Sequence, residues 1–109
     1  MKRGDIVFVR CEKFKHTGSE ITCSRPAVIV SNDKCNEFSP VVEVVYCTTV
    51  KKKYLPTHVI LHSTEKTSIA LCEGIYSVDK SRIIKKIGSI DMKELLLINN
   101  ALAVSVGLV

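Results

Sequence analysis

Residues 25–48 have the sequence RPAVIVSNDKCNEFSPVVEVVYCT. Two apolar runs rich in β-branched residues, at 26–30 and 41–47, flank a segment of turn-forming residues at 31–40. This pattern predicts two neighbouring strands joined by a connection that brings the second strand back antiparallel to the first. Proline is tolerated at the first residue of the first run, because no ladder donor is needed there.

The rest of the chain adds further short strands and one helix. Four more segments have the composition of strands, at residues 6–9, 58–61, 68–72 and 83–87. From Met92 onward apolar residues recur at helical spacing, with Asp91 as N-cap, Glu94 as third residue and Gly107 as a stop. The wide apolar stripe of this helix fits a subunit interface, and it equally fits a helix lying deep in its own core.

These elements predict the fold class. Several short strands separated by turn signals, with few long helices, favour a mainly β fold, namely a small antiparallel β-barrel or a strongly twisted sheet with a C-terminal α-helix. A chain of 109 residues is too short to divide into two cores that are both stable. We therefore predict a single domain over residues 1–109.

The composition limits the classes of function. The formal net charge of +5 and the pI near 9.0 favour a polyanionic partner, because lysine and arginine displace counterions from phosphates. The start Met1-Lys2-Arg3-Gly4-Asp5 has no apolar run behind its basic residues, so we expect no signal peptide, no membrane span and a cytoplasmic protein. Five cysteines without a C-x-x-C pair and three isolated histidines indicate neither a disulfide framework nor a zinc site. We expect buried or idle thiols, no metal and no cofactor.

One candidate site follows from the arithmetic of the predicted hairpin. If its midpoint lies near residues 36 and 37, Arg25 is opposite Thr48 at one end of the sheet. Arg25 precedes a proline and is therefore held in extended geometry, with a defined direction. Its guanidinium offers a planar fork of donors that matches phosphate oxygens, and the Thr48 hydroxyl adds a second hydrogen-bonding group. The pair suits a phosphodiester whose charge grows in a transition state, although both residues are also common at ordinary strand ends.

The usual catalytic constellations are absent from the sequence, since it contains no Ser-His-Asp arrangement, no Gly-rich phosphate loop and no metal-ligand cluster. RNA, however, carries its own nucleophile in the 2′-hydroxyl. A ribonuclease therefore needs only to position the phosphate, stabilise developing charge and move protons.

The whole chain resembles the MazF/PemK family of toxins from bacterial toxin–antitoxin pairs. The resemblance runs from the first strand to the last helix, and its specificity comes from the order and spacing of short motifs that are individually weak. These motifs are Arg3-Gly4-Asp5-Ile6, Gly18-Ser19-Glu20, the run from Arg25-Pro26 to Asn32-Asp33, Ser39-Pro40, Thr48, Leu55-Pro56-Thr57-His58-Val59, Asp79-Lys80-Ser81-Arg82 and Ser105-Val106-Gly107-Leu108.

The resemblance implies a CcdB/PemK-like barrel that forms a homodimer and cleaves single-stranded RNA at short motifs without a metal. The expected products carry a 2′,3′-cyclic phosphate and a 5′-hydroxyl, and the expected partner is a MazE/PemI-type antitoxin, with which the toxin could also bind DNA. By this resemblance Arg25 and Thr48 are the catalytic pair, and Ser19 and Glu20 contact RNA or support catalysis. A guanidinium is a poor base, so we assign Arg25 to charge stabilisation and regard Glu20 as the more natural proton acceptor.

Two departures from the family pattern bear on RNA recognition. A Gln-Ile-Arg stretch that usually follows an acidic residue is replaced by Gly74-Ile75-Tyr76 after Glu73, and Tyr76 can stack on a base where an arginine would hydrogen-bond. The glycines usual before Arg-Pro are replaced by Thr22-Cys23-Ser24, which would stiffen that loop.

Smaller expectations concern the basic residues. Lys51, Lys52 and Lys53 could line the RNA path or form a solvated loop, and His58 is expected to hold a strand edge.

Two alternative functions stay open at this point. The same fold occurs in CcdB-like toxins, which bind DNA gyrase and are not nucleases; they resemble one another in a C-terminal tryptophan arm, and this chain contains no tryptophan. The other alternative is a catalytically inert RNA-binding barrel.

Overall fold

The computed structural model describes residues 1–11 and 24–109. In this part of the chain seven strands and two α-helices follow one another. The strands are β1 (Asp5–Arg10), β2 (Ser24–Ile29), β3 (Val41–Thr48), β4 (His58–Leu61), β5 (Ser68–Leu71), β6 (Tyr76–Asp79) and β7 (Ile83–Ser89). The helices are α1 (Asp33–Phe38) and α2 (Met92–Ser105).

The strands form a mainly antiparallel sheet in the order β4-β5-β3-β2-β1-β7, with β6 paired to the first half of β3. The predicted fold class is therefore confirmed, except that the sheet is not a closed barrel. Within the described residues β4 and β7 lie at opposite ends of the path and do not pair, so the sheet curls like a barrel without closing. Strand β3 is long enough to pair with β6 along its first half and with β5 at its end. The sheet can therefore bend along β3, between these two partners.

The structure departs from the sequence analysis at two places: one expectation was wrong and one strand was missed. The connection at 31–40, expected as turns, contains the short helix α1, because the Asn32 side chain accepts the Cys35 amide hydrogen at 2.9 Å and caps a first turn. Strand β6 was not predicted, because its four residues show little apolar alternation and only Val78 is buried. Tertiary pairing with β3, rather than local propensity, makes this segment a strand.

The C-terminal helix begins as its sequence predicts. The Asp91 side chain accepts the Glu94 amide hydrogen at 2.8 Å, and the Glu94 side chain accepts the Asp91 amide hydrogen in return, which completes a capping box. Gly107 follows the helix with φ of 78° and ends it in the left-handed region. Within the described residues no helix is both long and apolar enough to cross a membrane.

Both faces of the sheet are apolar where β1, β2 and β3 meet. Alternate residues point to opposite faces, so one face carries Val28 and Val45 and packs against Ile98 and Ala101 of α2. The other face carries a second cluster, formed by Val7, Val9, Ala27, Ile29, Val42, Val44 and Val78, with Tyr46 and Ile83 at its margin. The candidate site lies at that margin.

The cysteines differ partly from expectation. Cys11 is disulfide-bonded, which corrects the prediction of idle thiols throughout, because spacing along a sequence does not show which sulfurs the fold brings together. Cys35 is free and exposed, whereas Cys47 and Cys72 are free and buried.

Thiol labelling should distinguish the free cysteines. Burial raises the pKa of Cys47 to about 12, with a smaller contribution from Cys72, and burial raises the pKa of Cys72 to about 12, with a smaller contribution from Glu73. Because the thiolate is the reactive form, a short iodoacetamide pulse near pH 8 should modify Cys35 and spare the two buried thiols until the protein is unfolded. Peptide mass spectrometry measures this directly, and rapid native labelling of Cys47 would contradict the packing.

Candidate active site

The strand register places Arg25 and Thr48 as the hairpin arithmetic predicts. The observed pairs between β2 and β3 include Ala27 with Tyr46 and Val28 with Val45. Extended by two residues, the same register puts Arg25 opposite Thr48, beyond the last paired residues. Opposite residues of an antiparallel ladder project from the same face, so both lie on the face that carries Tyr46.

The Arg25 side chain stacks on an aromatic ring. Its guanidinium carbon lies 4.6 Å from the centroid of the Tyr46 ring, within the range of a cation–π contact. The ring of Tyr46 in turn meets the ring of Tyr76, with 5.3 Å between centroids and a tilt of 54°. Sequence reasoning missed Tyr46; the available signal was its position two residues before Thr48, on the same face of a strand.

The Thr48 hydroxyl is held at the end of β3. Its Oγ1 accepts the Val50 amide hydrogen at 3.1 Å, so the hydroxyl hydrogen stays available to donate to a ligand. Thr48 also pairs with Ile69 of β5, which anchors the backbone of this strand end. Rigid strands thus present a guanidinium and a hydroxyl together at one sheet end.

The basic loop after β3 is tied down by His58. One imidazole nitrogen lies 2.9 Å from the Lys53 carbonyl oxygen, and the other lies 3.0 Å from a carboxylate oxygen of Glu73. Partial desolvation is the largest single influence and raises the pKa of Glu73, but the hydrogen bonds from His58, the Glu73 backbone and Thr57, together with the charge of His58, outweigh it and the net pKa is lowered. His58 therefore holds a strand edge, as its position predicts.

The side chains of Lys51 and Lys53 are exposed, and Lys53 lines a groove of about 620 Å³. The groove runs between the basic loop, β4 and the start of α2, and its lining includes Tyr54 and Ile69. Because Ile69 is the ladder partner of Thr48, the groove lies one strand away from the Arg25–Thr48 pair.

Three predicted site residues remain, namely Tyr76, Ser19 and Glu20. Tyr76 joins the site through its contact with Tyr46 and is 53% exposed. Ser19 and Glu20 lie outside the described residues. Within residues 1–11 and 24–109, no group of three or more histidine, cysteine, aspartate or glutamate side chains is arranged to hold a metal ion.

Comparison with known proteins provides evidence about the family of this chain. Residues 2–106 match the family model described as PemK-like, MazF-like toxin of type II toxin–antitoxin system. The endoribonuclease MazF of Staphylococcus saprophyticus is 35% identical over 99% of this chain and 92% of its own length. The endoribonuclease EndoA of Bacillus subtilis is 34% identical over 100% of this chain and 97% of its own length.

Solved structures agree on the fold. An endoribonuclease from a mycobacterial species has a TM-score of 0.78 and 26% identity, over 98% of this chain and 91% of that one. A MazE–MazF complex from Deinococcus radiodurans has a TM-score of 0.83 at 21% identity, over 100% of this chain and 97% of that one. Family model, sequence relatives and architecture coincide over nearly the whole chain, and the chain therefore belongs to the family of PemK-like and MazF-like toxins of type II toxin–antitoxin systems.

Proposed function

We propose that this protein is a toxin endoribonuclease that cleaves single-stranded RNA at short sequence motifs without a metal, with Arg25 and Thr48 as its catalytic pair. The observation that carries the proposal is the Arg25 guanidinium, stacked on Tyr46 at the strand end opposite Thr48. Support comes from the relatives, which are named endoribonucleases. The gyrase-binding and inert-barrel alternatives have no comparable support.

The chemistry uses the substrate's own nucleophile. The ribose 2′-oxygen attacks the adjacent phosphorus and loses its proton to a base, while the bond from phosphorus to the 5′-oxygen breaks and that oxygen takes up a proton. The products are a 2′,3′-cyclic phosphate and a 5′-hydroxyl. Negative charge grows on the phosphoryl oxygens, where the Arg25 fork donates and the Thr48 hydroxyl adds a further donor. Glu20 is our candidate for the base, and Ser19 for an RNA contact in the same loop.

The RNA path extends from the catalytic pair to the basic loop. The exposed ring of Tyr76 offers a stacking surface for an unpaired base. We assign phosphate contacts on the far side of Thr48 to the exposed Lys51 and to Lys53, which lines the groove. Single strands fit this arrangement better than duplexes, because stacking on a tyrosine requires a base that is free of its neighbours.

Three further features belong to the proposal. Membership of a toxin–antitoxin family implies a MazE/PemI-type antitoxin, which blocks the RNA path and can contribute DNA binding by the complex. The side chains of Met92, Leu96 and Leu97 in α2 are at least 50% exposed, which favours the use of this helix in a homodimer. Light scattering on the wild type and on a Leu96→Glu variant measures whether this helix forms the dimer interface. The substrate places the protein in the cytoplasm, where cleavage of messenger RNA inhibits growth.

A cleavage assay with mapped ends tests the function. The purified protein is incubated with a long single-stranded RNA and with the same sequence as a duplex, both in excess chelator. We expect recurrent cuts at one short motif in the single strand, with 2′,3′-cyclic phosphate ends, and little cutting of the duplex. Absence of cuts, or cuts with 3′-hydroxyl ends, would contradict the mechanism.

Salt dependence should report the phosphate contacts. RNA binding through three or more phosphates predicts that affinity falls at least about tenfold between 50 and 200 mM salt. The double substitution Lys51→Ala with Lys53→Ala should weaken binding at low salt and flatten the slope by about 0.7 for each lost contact. Fluorescence anisotropy with a non-cleavable oligonucleotide measures both. Lys34→Ala in α1, which removes an exposed lysine elsewhere, should leave the slope unchanged.

A further inference from the structure

This chain departs from the family pattern at Gly74 and Tyr76. A continuous row of side-chain contacts connects these two residues to the catalytic site. It begins at Gly74, passes through the rings of Tyr76 and Tyr46, and ends on the guanidinium of Arg25. We propose that Tyr46 is a positioning residue for Arg25, and that Gly74 exists to admit the Tyr76 ring that holds Tyr46 in place. The proposal rests on the function proposed above for Arg25.

The register explains why the rings meet. Tyr76 of β6 is opposite Val44 of β3, and Tyr46 of β3 is opposite Ala27 of β2. Tyr76 therefore contacts the residue two positions after its own ladder partner, and Tyr46 contacts the residue two positions before its own. Aromatic and other long side chains span this diagonal separation.

Stacking suits a phosphate-binding arginine better than an ion pair would. The guanidinium carbon lies over the ring of Tyr46, and a contact with a ring face uses none of the N–H donors of the planar fork in a hydrogen bond. Among the described residues no carboxylate or carbonyl oxygen accepts a hydrogen bond from this guanidinium. The contacts among the described residues thus restrain the side chain without using its donors, which lowers the ordering cost when phosphate binds.

Gly74 supplies the space for this arrangement. A Cβ atom at position 74 would lie 2.7 Å from Cε2 and 2.9 Å from the hydroxyl oxygen of Tyr76, closer than atoms in contact can approach. Any side chain there must displace the tip of the Tyr76 ring, and this displacement would weaken the contact between the Tyr76 ring and Tyr46. Because the clash involves only the ring tip, the substitution should move the tyrosine without unfolding the strand.

The experiment combines a spectroscopic readout with kinetics. Ring-current shifts of the Arg25 side-chain protons report the stack without any need for RNA. We expect upfield shifts in the wild type and in Tyr46→Phe, and their loss in Tyr46→Leu. The value of kcat should fall about three- to tenfold in Tyr46→Leu with KM nearly unchanged, and Tyr46→Phe should restore it.

The Gly74 step is tested by a double-mutant cycle. Gly74→Ala should reduce both the ring-current shift and kcat, whereas adding it to Tyr76→Ser should change neither further, because the ring it displaces is already gone. Phe38→Leu, which removes an exposed aromatic ring in α1, serves as the matched control and should match the wild type.

The outcomes separate the two proposals. Full activity of Tyr46→Leu beside an inactive Arg25→Ala would overturn the positioning role alone. Additive effects of Gly74→Ala and Tyr76→Ser would overturn the role of Gly74. Unchanged cleavage by Arg25→Ala would overturn the proposed function itself. If Tyr46→Leu does not fold, the comparison of Gly74→Ala with wild type still decides whether the ring series affects Arg25.

Discussion

Replacing Arg25 by alanine is expected to reduce kcat for RNA cleavage by about a thousandfold or more, with a much smaller change in KM. Removing one preorganised donor from a developing oxyanion typically costs about 10²–10³ in rate, and a guanidinium adds charge to its hydrogen bonds. The asymmetry follows because phosphate charge increases in the transition state, where Arg25 contributes most. Single-turnover cleavage of a labelled oligonucleotide measures the effect.

Two neighbouring substitutions refine this prediction. Arg25→Lys keeps the charge but loses the planar fork and its stacking on Tyr46, so it should retain only a few per cent of the rate at most. Thr48→Val keeps the shape and removes the hydroxyl, and it should slow cleavage by about 10–100-fold. Lys34→Ala is the control for loss of one exposed positive charge. If Arg25→Ala raised KM alone, Arg25 would be an RNA-binding residue without a catalytic role.

Replacing Glu94 by alanine should lower the free energy of unfolding by about 2–4 kcal/mol, the largest stability effect we expect of a polar residue here. The Glu94 carboxylate is 5% exposed and accepts the His62 amide hydrogen at 2.5 Å and the Ser63 amide hydrogen at 3.3 Å. It also accepts from the Ser63 hydroxyl and closes the capping box with Asp91. The side chain thus joins the end of β4 to the start of α2, and its loss leaves several donors unsatisfied.

The effect of Glu94 should depend on pH in a defined direction. Burial raises the pKa of Glu94, but the hydrogen bonds from Ser63, His62 and Asp91 outweigh burial, and the net pKa lies below the ordinary value of 4.5. A carboxyl whose pKa is lowered on folding stabilises the protein above the unfolded-state pKa and loses this contribution as pH falls through the folded-state pKa. The difference between wild type and Glu94→Ala should therefore be full near pH 7 and shrink below about pH 4.5.

Urea unfolding followed by circular dichroism at pH 7 and at pH 3.5 measures both quantities. Glu65→Ala, which removes an exposed glutamate, is the matched control and should change stability by less than about 0.5 kcal/mol. A Glu94→Ala variant as stable as this control would show that the carboxylate does not join β4 to α2.

Local patterns determined much of this protein before its structure was considered. β-Branched runs predicted most strands, and the residues Asp91, Glu94 and Gly107 predicted both ends of α2, because caps and stops act through neighbours in the chain. The placement of Arg25 opposite Thr48 followed from the hairpin arithmetic, since the midpoint of the connection between two antiparallel strands sets which of their residues are opposite each other.

Tertiary structure alone decided what surrounds that pair. Strand β6 exists because β3 offers it an edge, and only this pairing brings Tyr76 to Tyr46, a residue that no motif distinguished. The cation–π contact of Arg25 and the steric requirement at Gly74 likewise arise between residues far apart in sequence. Sequence patterns report the backbone's local preferences, whereas the direction and restraint of a catalytic side chain depend on side chains that only the assembled sheet brings into contact.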